Sequence, residues 1–138
     1  MPDLPHDDPR VQLFGSYGFD RALEGAVLLS VGDGEARVRL PVGEAVQNMV
    51  GTLHGGAIAT LVDDTGTMAI MSADADARPG VTTDLNVSYF SAAPGAATVI
   101  ATARVQKCGR TLAFVEVDVA LEDGKPVAQG RMTKFLGH

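Results

Sequence analysis

Cysteine occurs once in the 138 residues, as Cys108. A lone thiol cannot build an internal disulfide framework, and it fits a reducing compartment. Histidine occurs only as His6, His54 and His138, too scattered for a metal cluster. Basic residues are in the minority, 11 Lys and Arg against 17 Asp and Glu, for a formal net charge of −6. That balance argues against a general nucleic-acid partner, which needs a basic face to neutralise phosphates. No apolar run reaches the roughly 18 residues that cross a bilayer. The opening Met1-Pro2-Asp3-Leu4-Pro5-His6-Asp7-Asp8 is acidic and polar, unlike a signal peptide or an Arg-rich transit peptide. The expectation is a cytoplasmic protein with no membrane partner. There is also no G-x-S-x-G elbow, no Walker loop and no H-E-x-x-H, so the chemistries those motifs carry are unsupported.

What is present is an ordinary globular composition, 46% apolar and 20% charged. The length fits one domain over 1–138 that buries about two thirds of its unfolded surface. Residues 1–22 read as an extension, loose at first. Val11, Leu13, Phe14 and Tyr17 follow in loosely helical spacing, which predicts a short helix within 9–22. Leu23–Val31 is a strand candidate, Gly32-Asp33-Gly34 a turn, and Glu35–Leu40 an unbroken polar–apolar alternation closed by Pro41. Residues 42–54 read as a loop and 55–73 as the one long helix. Four strands are expected to follow in meander order. The first alternates Val81, Thr83, Leu85, Val87 and Tyr89 with Thr82, Asp84, Asn86 and Ser88. The others cover 97–106, Thr111–Glu122 and Val127–Leu136, joined at Lys107-Cys108-Gly109-Arg110 and Asp123-Gly124-Lys125. One apolar helix and about six antiparallel strands imply an α+β fold: a curved sheet wrapped around the helix, with the helix's leftover small face toward an interface.

The chain is organised around Asn48–Met71. Its loop, Asn48-Met49-Val50-Gly51-Thr52-Leu53-His54-Gly55-Gly56, runs into the helix. A helix start carries unpaired N–H groups and the positive end of the macrodipole, and so suits an anion or an oxygen gaining charge. At 100° per residue Gly56, Thr60, Asp63 and Thr67 share one narrow face, opposite Ile58, Leu61, Val62, Met68 and Ala69. Asp63 lies about 10 Å along the axis from the helix start. One small reaction centre cannot use both unless a second, antiparallel copy of the helix runs nearby.

Asn48-x5-His54-Gly55-Gly56-x6-Asp63 resembles the signature of hotdog-fold acyl-CoA thioesterases of the phenylacetate-degradation (PaaI-like) branch, in the 4-hydroxybenzoyl-CoA thioesterase superfamily. Lys107-x-Gly109-Arg110-Thr111-Leu112-Ala113-Phe114 and Gln129-Gly130-Arg131 resemble it too, and the likeness covers roughly 40–137. The resemblance implies hydrolysis of an acyl-CoA thioester to a free acid and CoA, by a homodimer or dimer of dimers with sites shared across the interface. It implies the Gly55 N–H at the thioester oxygen and Asn48 placing the thioester or water. Asp63 of the other protomer would act as base or nucleophile, with Thr82 orienting the water and His54 supporting the loop. It implies Gly56, Tyr89, Ser91, Lys107, Gly109, Arg110 and Thr111 as substrate and CoA contacts, and no cofactor, since CoA is part of substrate and product. Hotdog hydratases, by the same resemblance, carry a His shortly after the helix Asp, and none follows Asp63.

The residues alone leave plainer readings open. Asp63 could be a buried carboxylate satisfied by Thr60 or Thr67, with neighbouring Asp64, about 100° around, facing solvent or serving structure. Asn48 could cap its own loop, Thr82 could be β filler, and Lys107 and Arg110 a solvated turn. Cys108 reads as structural, and Met68 and Met71 as core or acyl pocket. Rivals to acyl-CoA hydrolysis are a thioesterase for carrier-protein-bound chains and a non-catalytic acyl-CoA-binding module.

Overall fold

The computed structural model describes residues 1–12 and 14–137. Leu13 and His138, both used in the sequence reading, lie outside the described residues. In place of one short helix, 9–22 holds parts of two 3₁₀ turns, Pro9–Gln12 and Gly18–Leu23. The second ends in Leu23, which is fully buried. The expected strand from Leu23 therefore starts later, after that turn has delivered its leucine to the core.

Six strands follow: β1 Val27–Gly32, β2 Glu35–Pro41, β3 Val81–Tyr89, β4 Thr98–Cys108, β5 Leu112–Leu121 and β6 Pro126–Phe135. The helix α1 spans Gly55–Ala73, as its periodicity predicts. The sheet order is β1-β2-β4-β5-β6-β3, antiparallel throughout. The meander expectation holds for β4-β5-β6 and fails for β3, which crosses to the far edge and pairs with β6. Adjacent strand segments in sequence are joined there by Ser91–Ala97, a loop long enough to leave the sheet and re-enter it at β4. The expected Lys107–Arg110 turn also starts late. A bulge between Val105 and Lys107 keeps Lys107 and Cys108 in β4.

The sheet wraps the helix because every strand but β3 shows it an apolar face. Leu28, Ala36, Val38, Leu40, Val99, Ala101, Ala103, Ala113, Val115, Val117 and Val119 are buried against Ile58, Leu61, Val62, Ala69 and Ile70. Thr65 and Gly66 complete the helix's buried arc. Met68, expected opposite the Asp63 face, is only half-buried, at the rim of that arc. Two glycines permit the close approach. A Cβ on Gly66 would meet Met132 Cε at 2.7 Å, and one on Gly130 would meet Val62 Cγ1 at 2.5 Å. No helix among the described residues is long and apolar enough to cross a membrane.

The two sheet edges differ. At β1 the chain covers its own edge, where the Leu4 N–H donates to the Leu29 carbonyl at 2.6 Å. At β3 the edge is open and carries exposed Val81, Leu85 and Tyr89, with Phe90 beyond. An open apolar strand edge is a template for pairing with another chain.

Candidate active site

His54 is the N-cap of α1. Its Nδ1 accepts the Gly56 N–H at 2.8 Å, and its carbonyl accepts the Ile58 N–H at 3.0 Å. An imidazole thus takes the place of the usual Ser or Asp cap, which puts the proton of the neutral ring on Nε2. Gly56 is needed for this cap, since a Cβ there would stand 3.0 Å from His54 Nδ1. No hydrogen bond within the described residues takes up the Gly55 N–H. The Gly55 carbonyl is held from outside the helix, by the Tyr89 hydroxyl at 2.8 Å. The result is one free, rigidly held donor at the positive end of a 19-residue helix.

Asn48 shapes the wall in front of that donor. Its Oδ1 accepts the Val50 and Thr52 N–H groups, both at 3.1 Å, and its Nδ2 donates to Thr52 Oγ1 at 2.8 Å. One Nδ2 hydrogen is left over. Gly51, at φ +83°, closes the turn. Asn48, Met49, Gly51 and His54 line an open hollow of about 1070 Å³, and Met49 and Val50 at its tip are exposed.

The carboxylate sits elsewhere. Thr60 and Thr67 give their hydroxyls to the Gly56 and Asp63 carbonyls, each at 2.8 Å, and neither satisfies the Asp63 side chain. Asp63 Oδ1 accepts instead from Thr82 Oγ1 at 2.8 Å. Unbroken alternation in β3 would point Thr82 away from the helix that Tyr89 touches, since the two are an odd number of residues apart. A bulge between Thr82 and Asp84 switches the parity and turns Thr82 inward. Opposite Thr82 across the β3–β6 ladder stands Lys134. Its Nζ donates to Thr67 Oγ1 at 2.7 Å, and the residue is 5% exposed. Burial pushes its amine pKa down, and Asp63 and Asp64 oppose that shift. Sequence reasoning missed Lys134. The signal was there: Ala128, Gly130, Met132 and Lys134 share one parity, and the first three face the core.

Asp64 does not face solvent. Its Oδ2 is shielded and has no hydrogen-bond partner. Burial, then the Asp20 carboxyl beside it, push its pKa up to about 8. The pair borders a cavity of about 340 Å³ walled by Phe14, Tyr17, Thr67 and Met68, and Met68 both packs against the core and lines this cavity.

The remaining candidates separate into two groups. Ser91 lies beside Tyr89 at the helix-start end, its hydroxyl on the Pro126 carbonyl at 2.6 Å. Lys107, Gly109, Arg110 and Thr111 lie at the other end, with exposed side chains at Lys107, Arg110 and Thr111. Arg78 fastens that turn to the helix C-terminus. It pairs with Asp74 at 2.7 Å and donates to the Arg110 carbonyl at 3.1 Å. Asp74 is thereby held well below the usual carboxylate range. Thr82 and Tyr89 are about 23 Å apart along β3, and Gly55 and Asp63 about 12 Å apart along α1. Within one protomer the donor and the carboxylate are therefore not brought together. Burial pushes the Cys108 thiol up, away from thiolate chemistry. Among the described residues no group of three His, Cys, Asp or Glu could hold a metal ion.

The model of the thioesterase superfamily matches residues 50–128. Acyl-coenzyme A thioesterase 13 of Mus musculus is 44% identical over 127 residues, 91% of this chain and 90% of that protein. The zebra fish thioesterase superfamily member 2 crystal structure superposes with a TM-score of 0.87 at 44% identity, covering 92% and 93% of the two chains. A Streptococcus pneumoniae hypothetical thioesterase solved with coenzyme A gives 0.79 at 25% identity over 85% and 89%. A variant of the phenylacetic acid degradation protein PaaI of Thermus thermophilus gives 0.76 at 32% identity over 85% and 96%.

Proposed function

The chain belongs to the thioesterase superfamily and has the hotdog fold, and from that premise we propose that it hydrolyses acyl-CoA thioesters at a site shared by two copies. The carrying observation is the free Gly55 N–H at the capped helix start, opposed by a hydroxyl-bound Asp63 too far along the same helix to reach it. A two-fold axis beside the open β3 edge would pair β3 with β3 and set the two helices antiparallel. The Gly55 end of one copy then meets the Asp63 and Thr82 of the other. The same operation brings Tyr89 and Ser91 of one copy toward the Lys107–Thr111 turn of the other. Exposed Leu112 and Phe114, on the outer sheet face, suit a further pairing into a dimer of dimers.

In the shared site the thioester oxygen accepts from the Gly55 N–H, a contact typically worth about 10²–10³ in rate because charge grows on that oxygen. The spare Asn48 amide hydrogen is a second donor, on the loop that leads into the helix start. Asp63, oriented by Thr82, takes a proton from water as the water oxygen attacks the carbonyl carbon. The C–S bond breaks, and the thiolate of CoA leaves and is protonated. Lys107 and Arg110 offer the cations that an acidic protein needs for an anionic nucleotide tail. The cavity beside Asp64 and Met68 is at the small end of ligand pockets and receives a medium acyl or aryl group. No cofactor enters this scheme.

Thiol release across a panel of acyl-CoAs, with wild type and Asp63→Asn in parallel, tests the reading. Turnover by wild type and at least about 10²-fold loss in the variant is expected, with acyl-CoA binding retained. Equal turnover by the variant would refute the assignment, and turnover on carrier-protein thioesters alone would move the substrate.

A further inference from the structure

Resting on the role just given to Asp63, we propose that Lys134 is a positioning residue for the reaction, its buried ammonium holding the Asp63–Thr67 turn of the helix in place. The inward-facing positions of β6 run Ala128, Gly130, Met132 and then a lysine that is 5% exposed. An ammonium is expensive to bury away from water unless anions and hydrogen-bond acceptors surround it. Here they do. Lys134 Nζ donates to Thr67 Oγ1 at 2.7 Å, and Thr67 Oγ1 donates to the Asp63 carbonyl at 2.8 Å. Its cross-strand neighbour Thr82 holds Asp63 Oδ1 at 2.8 Å. One cross-strand pair thus grips one i, i+4 pair on the helix, a hydroxyl on the carboxylate and an ammonium on the turn beneath it.

The test uses full-length wild type, Lys134→Met, Lys134→Arg and Thr67→Val. Without substrate, amide hydrogen exchange across residues 63–68 is expected to speed up at least about tenfold in Lys134→Met relative to the rest of the helix, and to stay close to wild type in Lys134→Arg. In thiol release from acyl-CoA, Lys134→Met should lower kcat about tenfold while KM changes by less than about twofold, and Lys134→Arg should recover most of that loss. Thr67→Val, which removes the ammonium's anchor and keeps the shape, should give smaller changes of the same sign, and it serves if Lys134→Met does not fold. A folded Lys134→Met or Thr67→Val with unchanged exchange over 63–68 overturns the proposal. Because the exchange measurement needs no turnover, that failure is distinct from a failure of the acyl-CoA reading, which the thiol-release panel reports by itself.

Discussion

Asp64→Asn should flatten the dependence of stability on pH. In the folded chain burial and the adjacent Asp20 carboxyl push Asp64 up to about 8, whereas an unfolded aspartate titrates near 3.9. Between those values the native state holds a proton that the unfolded state has lost. Stability is therefore full below about pH 4 and falls as pH rises toward 8, where the folded carboxyl ionises. A shift of about four units at 1.36 kcal/mol each sets a formal ceiling of about 5–6 kcal/mol. Asp64 borders an open cavity and is only partly buried, so screening reduces the expected effect to about 1–3 kcal/mol. Urea unfolding at pH 5 and pH 8.5, at matched ionic strength, reads it directly. Wild type should lose about 1–3 kcal/mol more than Asp64→Asn between the two conditions. Asp20→Asn removes the carboxyl that is the second cause of the rise at Asp64 and should shrink the same difference. Parallel wild-type and Asp64→Asn curves would refute the reasoning.

Thr82→Val keeps the shape of the strand and removes the hydroxyl on Asp63 Oδ1. It should lower kcat about tenfold, the worth of ~1.5 kcal/mol for one hydrogen bond to a charged group, with KM for acyl-CoA little changed in steady-state kinetics. Gly130→Ala places a Cβ 2.5 Å from Val62 Cγ1, and valine is stiff at χ1. It should destabilise the fold by about 1–3 kcal/mol in urea unfolding, and an unchanged midpoint would mean that helix and sheet are less tightly packed here than the structure shows.

The helix was legible to the residue, Gly55–Ala73, because a long, mostly apolar stretch begins at Gly55-Gly56 and stops at the polar segment from Asp74. The strands were legible to within a few residues for the same kind of reason. Strand order was not. Alternation records which face of a strand is buried and says nothing of its neighbour, so β3 was placed in a meander and not on the far edge. The loop motif named the correct helix start. The loop-capping reading of Asn48 holds, its amide being largely spent on its own loop, whereas no motif foretold that a bulge delivers Thr82 to Asp63. Both depend on local backbone geometry that one residue of slip would erase. Lys134 and the Asp20–Asp64 pair are products of tertiary packing. The first was foreshadowed by parity in β6, whereas the second joins segments 44 residues apart with no motif to link them.

The central claim, one site from two chains, is tested most directly by mixing two inactive variants. Gly55→Pro removes the oxyanion donor at a helix position that tolerates proline, and His54, at φ −63° and ψ 135°, already has the backbone a following proline requires. Asp63→Asn removes the carboxylate. Each variant alone should be inactive in thiol release from acyl-CoA. Unfolded together and refolded, half the dimers are mixed and each has one intact site, so about a quarter of wild-type activity should return. Complete absence of activity in a mixture shown by native mass spectrometry to contain mixed dimers would contradict the account.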